Sequence, residues 1–282
     1  MRALSGLQRL SVQIISRKIT IDGAPTEAIS YFSRFDRCRR HGSGFFYSDE
    51  ANLFLVSAKH VLFKNSLETH TAELRLTALD FALKDRVYFQ IDCTTLFADG
   101  NLLKHSNADV AVARIATPEK IAEGKPHSGK YDILEMPGLA GTCPAIENWN
   151  VAGLFREDTK LLKDVQLGDD IFLLGYPTSL ADLDFFEKST PLLRTGIVAG
   201  IVNDAHVVID CPVYFGNSGG FVLEKRAQGE VAIGVASRMV PFRENLFSME
   251  FQRQVGTRYE NSGYSIVEPM DRVFDLISQL TG

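Results

Sequence analysis

Residues 211–223 read CPVYFGNSGGFVL. Apolar, strand-like residues flank a Gly-Asn-Ser-Gly-Gly core, and clustered glycines cost backbone entropy and interrupt regular strands. Two readings fit. The cluster is a hairpin loop, for which Asn, Ser and Gly are ordinary turn residues. Or it is a turn whose backbone N–H groups face a ligand, with Ser218 held at its tip. The stretch alone does not choose, so its surroundings must.

Serine is a weak nucleophile unless a base takes its proton and a third group orients that base. Gly216-Asn217-Ser218-Gly219-Gly220 also fits the G-x-S-x-G elbow of α/β-hydrolases, whose partners follow in the order serine, acid, histidine. The last histidine here is His206, ahead of the serine. That reading fails, and the order histidine, acid, serine remains. His60 closes the apolar run NLFLVSAKHVL, and Asp109 stands in SNADVAVARI immediately before another apolar run. Each has an ordinary structural reading alone, as a core histidine satisfied by backbone and as a strand-entry aspartate. Asp92 and Asp99 lie near enough in sequence to be alternatives for the acid.

Composition removes other classes. At 282 residues, 45% hydrophobic and 23% charged, the chain is long enough for one or two sizeable cores. A net charge of −5 gives no reason to expect nucleic acid. The local cluster of Arg34, Arg37, Arg39 and Arg40 reads as a solvated loop before a strand. Cys38, Cys93, Cys143 and Cys211 form no CxxC pair, so neither a disulfide framework nor a zinc site is expected. His41, His60, His70, His105, His127 and His206 show no paired metal-ligand spacing, and no metal or cofactor is expected. GKPHSGK, Gly124 to Lys130, has the spacing of a phosphate-binding loop. It is followed by Tyr131 instead of Ser or Thr, and no apolar strand feeds it, so the match is by chance.

No run approaches the 18 apolar residues of a membrane span. The start, MRALSGLQRLSVQIISRKIT, is interrupted by Gln8, Arg9 and Gln13 and makes a poor secretory signal. It reads as a first strand in a cytoplasmic protein. The alternative is a mitochondrial presequence, since it is free of acid and carries Arg2, Arg9, Arg17 and Lys18.

Short Val-, Ile-, Leu- and Phe-rich runs bounded by Gly, Asp, Asn and Pro dominate the chain: GFFYS, NLFLVSA, RVYFQID, VAVARI, DIFLLGYP, TGIVAGIV, HVVIDCPV, GFVLE and VAIGVAS. They predict two β-rich halves, as barrels or sandwiches, joined by a Gly- and Pro-rich connector over 121–150. Segments 178–192 and 240–262 read as long loops. A terminal helix is predicted over 269–282, where Met270, Val273, Phe274, Ile277 and Leu280 recur at helical spacing.

SAKHVL, ADVAVARI and GNSGGFVL, in this order and in these strand contexts, resemble the three triad motifs of trypsin-like (chymotrypsin-fold) serine peptidases. GSGFFYS, LGDDIFLLGYPTSL, LLRTGIVAGI and GYSIVEPMDRVFDLI resemble segments of the bacterial HtrA-like branch, so the likeness spans about residues 42–280. With the likeness reaching residue 280, no C-terminal PDZ domain is expected. Two positions depart from the family pattern: Phe221 stands where Pro is usual, and Lys59 where a small residue is usual.

The resemblance implies an all-β fold of two antiparallel six-stranded β-barrels with a C-terminal helix. Its divisions are an N-terminal strand or arm at 1–24, a first barrel at 25–120, the connector at 121–150, a second barrel at 151–268 and the helix at 269–282. It implies a serine endopeptidase acting through His60, Asp109 and Ser218, with an oxyanion hole from the N–H groups of Gly216 and Ser218. Pro212 falls at the floor of the primary specificity pocket and Ser237 at its wall, beside the acid. With no acid at that floor, a small or aliphatic residue is expected before the scissile bond. The partners implied are a protein or peptide substrate and a regulatory protein. The alternative is a catalytically silent peptide-binding module on the same fold. Asn217 stands where digestive members carry the Asp that pairs with a new N-terminus. No I-V-G-G-like segment occurs near the start, so activation by N-terminal cleavage is not expected.

Overall fold

The structure, a computed structural model, describes residues 11–16, 40–49, 52–63, 73–80, 85–118, 131–132, 139–141, 153–178 and 191–282. Most of the connector predicted at 121–150 lies outside these residues, as do Gly124–Lys130, Arg34, Arg37, Arg39 and most of segment 178–192.

Nine strands build the first half: β1 (Ser11–Ser16), β2 (Arg40–Ser48), β3 (Leu53–Ser57), β4 (Glu73–Asp80), β5 (Asp85–Asp92), β6 (Leu102–Lys104), β7 (Ala111–Pro118), β8 (Tyr131–Asp132) and β9 (Leu139–Gly141). Their order is β6-β7-β3-β2-β1-β4-β5-β9, with β8 paired to β7. The six-stranded closure expected of this half is not reached among the described residues. β6 and β9 end this eight-stranded path, with β8 off it, and do not pair with each other there. Two short helices interrupt it, α1 (Lys59–Leu62) and α2 (Cys93–Ala98).

The second half does close. β10 (Asp170–Gly175), β11 (Leu192–Val202), β12 (His206–Asp210), β13 (Phe221–Glu224), β14 (Val231–Ser248) and β15 (Arg253–Pro269) form a six-stranded antiparallel barrel in the order β10-β11-β12-β15-β14-β13. Asn203 and Asp204, both with positive φ, open the three-residue β11–β12 turn that Ala205 completes, and Asn and Asp tolerate that conformation. The predicted terminal helix is present as α3 (Met270–Thr281).

One core lies inside the barrel, around Val198, Val207, Ile209, Val222, Ile233 and Val267. Another joins the halves: Phe45, Phe54 and Val112 of the sheet meet Phe221, Leu223 and Val235 of the barrel and Met270, Val273 and Ile277 of α3. Phe221, the residue in the place of the usual Pro, is fully buried at this junction, its ring centroid 5.4 Å from that of Phe45. The junction brings the end of β3 and the β6–β7 loop against the β12–β13 loop. The segment expected to be a loop at 240–262 is instead the outer part of the β14–β15 hairpin.

Candidate active site

β3 runs fully buried to Ser57 and hands the chain to α1, which carries His60 at its first turn. The loop between β6 and β7 brings Asp109 alongside. Asp109 grips this turn three ways. Its Oδ2 lies 2.7 Å from His60 Nδ1, its Oδ1 accepts the His60 backbone N–H at 3.1 Å, and its carbonyl accepts the Lys59 N–H at 3.2 Å. Ser237 Oγ, from β14, donates to Asp109 Oδ2 at 2.6 Å. Of the acids within reach in sequence, Asp109 is thus the one against His60; Asp99 lies in the exposed turn after α2 and Asp92 ends β5.

Burial pushes the Asp109 carboxyl up. The opposing hydrogen bond and charge of His60, the Ser237 hydroxyl and the His60 backbone N–H outweigh it and hold the group below the ordinary aspartate value. Asp109 is therefore ionised at neutral pH, and a proton on His60 Nδ1 is held toward it. That leaves Nε2 as the free face of the ring.

The Asp109 loop has a brace that sequence reading missed. His105 Nδ1 accepts the Asn107 and Ala108 N–H groups at 3.2 and 2.9 Å, and its Nε2 lies 3.5 Å from Asp275 of α3. Lys59, unusual for its position, turns away from the site and donates to the His105 carbonyl at 2.9 Å.

The Gly-Asn-Ser-Gly-Gly turn is the loop between β12 and β13. Gly216 has φ +94° and a Cβ there would collide with the Tyr176 carbonyl; Gly219 has φ +88° and a Cβ there would collide with the Ser43 carbonyl and Ser57 Oγ. Both positions need glycine for conformation and for space. The peptide between Gly216 and Asn217 is pinned at both ends. Ser43 Oγ donates to the Gly216 carbonyl at 2.6 Å, and the Asn217 N–H donates to the Tyr214 carbonyl at 3.0 Å. Ser43 Oγ also accepts the Tyr176 N–H at 2.9 Å, while the Ser43 N–H donates to the Ser218 carbonyl at 2.8 Å. Ser43, on β2 of the other half, is the second residue missed as a functional candidate. Its partner lies 173 residues away, which no local pattern reveals. The N–H groups of Gly216 and Ser218 donate to no acceptor among the described residues. Asn217 is buried, and its Nδ2 is the buried side-chain polar atom without a partner there.

His60, Ser218, Gly216 and Ser237 all border one cavity of about 740 Å³, whose other walls include Val213, Tyr214, Phe215, Met239 and Asn261. No hydrogen bond joins the His60 ring to Ser218 Oγ among the described residues; the two meet across the cavity. Pro212 does not join this lining. Its carbonyl instead accepts Arg194 Nη1 at 3.1 Å, and Val213 and Tyr214 face the space. Asn261 was not singled out by sequence. It comes from the middle of β15, where its Nδ2 donates to the Val213 carbonyl at 2.9 Å. Cys211, beside the site, is buried, and burial pushes its thiol up to about 11, so it is an inert packing residue.

No family model matches this sequence, and no curated protein matches it. Solved structures do match the fold. An HtrA-type protease, AlgW, with a bound tripeptide aligns at a TM-score of 0.51 and 14% identity, over 99% of this chain and 62% of that one. A variant of AlgW with a decapeptide aligns at 0.50 and 15% identity, over 99% and 66%. The chain thus spans under two thirds of the length of these proteins. At such identities the likeness speaks for architecture, and with the strand order and terminal helix above it the chain has the trypsin-like fold of HtrA-type proteases.

Proposed function

We propose that this chain is a serine endopeptidase. In this reading Ser218 Oγ attacks the scissile carbonyl carbon while His60 Nε2 takes its proton, and the C–O bond forms as the carbonyl pair moves onto oxygen. The unused N–H groups of Gly216 and Ser218 receive that oxyanion. Collapse of the tetrahedral adduct breaks the C–N bond, and His60 returns the proton to the leaving amine. Water, deprotonated by the same imidazole, then releases the acyl group and restores Ser218. Asp109 holds the imidazole tautomer and balances the imidazolium without itself taking the proton. Catalytic hydrogen bonds of the His60–Ser218 kind tighten when substrate is bound.

The single observation that carries the reading is the grip of Asp109 on both the ring and the backbone of His60, beside a loop with two unused N–H groups. Peptides bound to the AlgW structures agree with a peptide-binding cleft here. The apolar walls Val213, Tyr214, Phe215 and Met239 suit an uncharged residue before the scissile bond, and Arg238 borders the same cavity. The test is hydrolysis of an unfolded protein by wild type, Ser218→Ala and His60→Ala. Cleavage by wild type that both variants lose supports the reading. Peptide binding by all three proteins with no cleavage by any would make the chain a silent peptide-binding module.

A further inference from the structure

Past the barrel wall, β14 and β15 pair only with each other among the described residues. β13 meets β14 from Val231 to Val235, and β12 meets β15 from Tyr264 to Val267, yet β14 and β15 stay paired out to Ser248 and Arg253. The part from Phe242 to Glu260 is therefore a two-stranded arm, about 23 Å long at the usual rise per residue. A two-stranded ribbon alone is marginally stable in water. Among the described residues its outer edges carry N–H and C=O groups without a strand partner, the template on which another strand adds.

Three features identify what covers this arm. First, both its faces and its turn are apolar in part and open. Phe242, Phe247, Met249, Phe251, Val255 and Tyr259 are each more than half exposed, Met249 to 90%. Opposite residues share a face, so Phe242 lies on one side and Phe247 and Tyr259 on the other, with neither side packed on the barrel. Second, the edges are lightly guarded. Of the devices that keep an exposed edge single, the arm has one bulge, between Leu246 and Phe247, and scattered Arg and Glu, but no Lys or Pro between Phe242 and Glu260. Third, Arg243, Arg253 and Arg258 balance Glu244, Glu250 and Glu260. A surface meant for an anionic membrane or for a basic or acidic partner carries an excess of the opposite sign. This one has mixed signs and no excess, so it is complementary to itself.

We infer that the arm is a self-association surface, and that its occupant is a second copy of this chain. Two arms pair antiparallel along one free edge about a two-fold axis, as isologous interfaces do. Each arm then gains a third strand, its edge groups find partners, and the exposed aromatic residues are shared between copies. This inference goes beyond the proposed activity and does not depend on it.

Sedimentation velocity on the full chain tests it, up to about 0.1 mM. The expected result is a concentration-dependent species of twice the 31.3 kDa chain mass. Phe247→Glu with Tyr259→Glu should weaken association roughly tenfold or more. Val255→Lys, a single change on the exposed turnward segment, should shift it the same way. Circular dichroism and the melting temperature of each variant show that the barrel is intact. Wild type that stays monomeric over the whole range overturns the inference, as does a dimer indifferent to Val255→Lys and to the double change. A monomer that co-sediments with phosphatidylcholine–phosphatidylserine vesicles overturns it in favour of a membrane surface.

Discussion

Ser43 Oγ sits between the Gly216 carbonyl and the Tyr176 N–H, and through the first it sets the plane of the peptide between the two unused donors. Ser43→Ala would take this donor from the buried Gly216 carbonyl, a cost of about 1–3 kcal/mol. It should lower kcat roughly 10- to 100-fold with little change in KM, because the donors act on charge that develops only in the transition state. Ser43→Thr, which keeps the hydroxyl, should recover most of the loss; steady-state kinetics on a peptide substrate decides this. Ser237 predicts a pH effect. Because the carboxyl of Asp109 is held below its ordinary value in the folded chain, its ionised form adds stability that is present above the unfolded pKa and lost as pH falls through the folded one. Ser237→Ala removes one of the donors, moves the folded value up toward the unfolded one and shrinks that contribution. The variant should melt lower at neutral pH and lose less on acidification than wild type, a comparison that calorimetry from pH 7 to pH 3 would settle. His60, Asp109 and Ser218 stood out in the sequence because each sits at the end of an apolar run. Ser43, His105 and Asn261 did not, because they act through contacts distant in sequence.

The nine apolar runs of the sequence all lie in strands or run directly into or out of one. The terminal helix was legible as well. Met270, Val273, Leu276, Ile277 and Leu280 are buried on one side, leaving a polar opposite face. β4 and the outer β14–β15 hairpin were not legible. In the hairpin both faces meet solvent, so apolar and charged residues occur without the alternation that marks a half-buried strand. Closure of the first barrel was expected from resemblance and is not reached among the described strands. The junction of the halves rests on Phe221 against Phe45. Phe221→Ala should cost about 4 kcal/mol of stability, the usual loss for a fully buried phenylalanine, read as a lowered denaturation midpoint. Since the β12–β13 loop runs directly into Phe221, the same change should also slow reaction at Ser218.

At the scale of the whole molecule, the site is assembled from both halves: His60, Asp109 and Ser43 from the sheet, Ser218, Ser237 and Asn261 from the barrel. Asn217 is buried behind the serine turn with no charge of its own, so an ammonium inserted beside it would stay uncompensated. Removing residues 1–10 should therefore leave reactivity at Ser218 unchanged. Trimming past Ser16 removes β1, which joins β2 to β4, and should lower stability. The most direct test of the whole account is covalent labelling of the native chain by a fluorophosphonate, with the modified residue found by mass spectrometry. The account predicts a single label on Ser218, lost in Ser218→Ala and slowed by orders of magnitude in His60→Ala and Asp109→Asn. Native protein that takes no label at Ser218, or labels there equally well without His60, would contradict it.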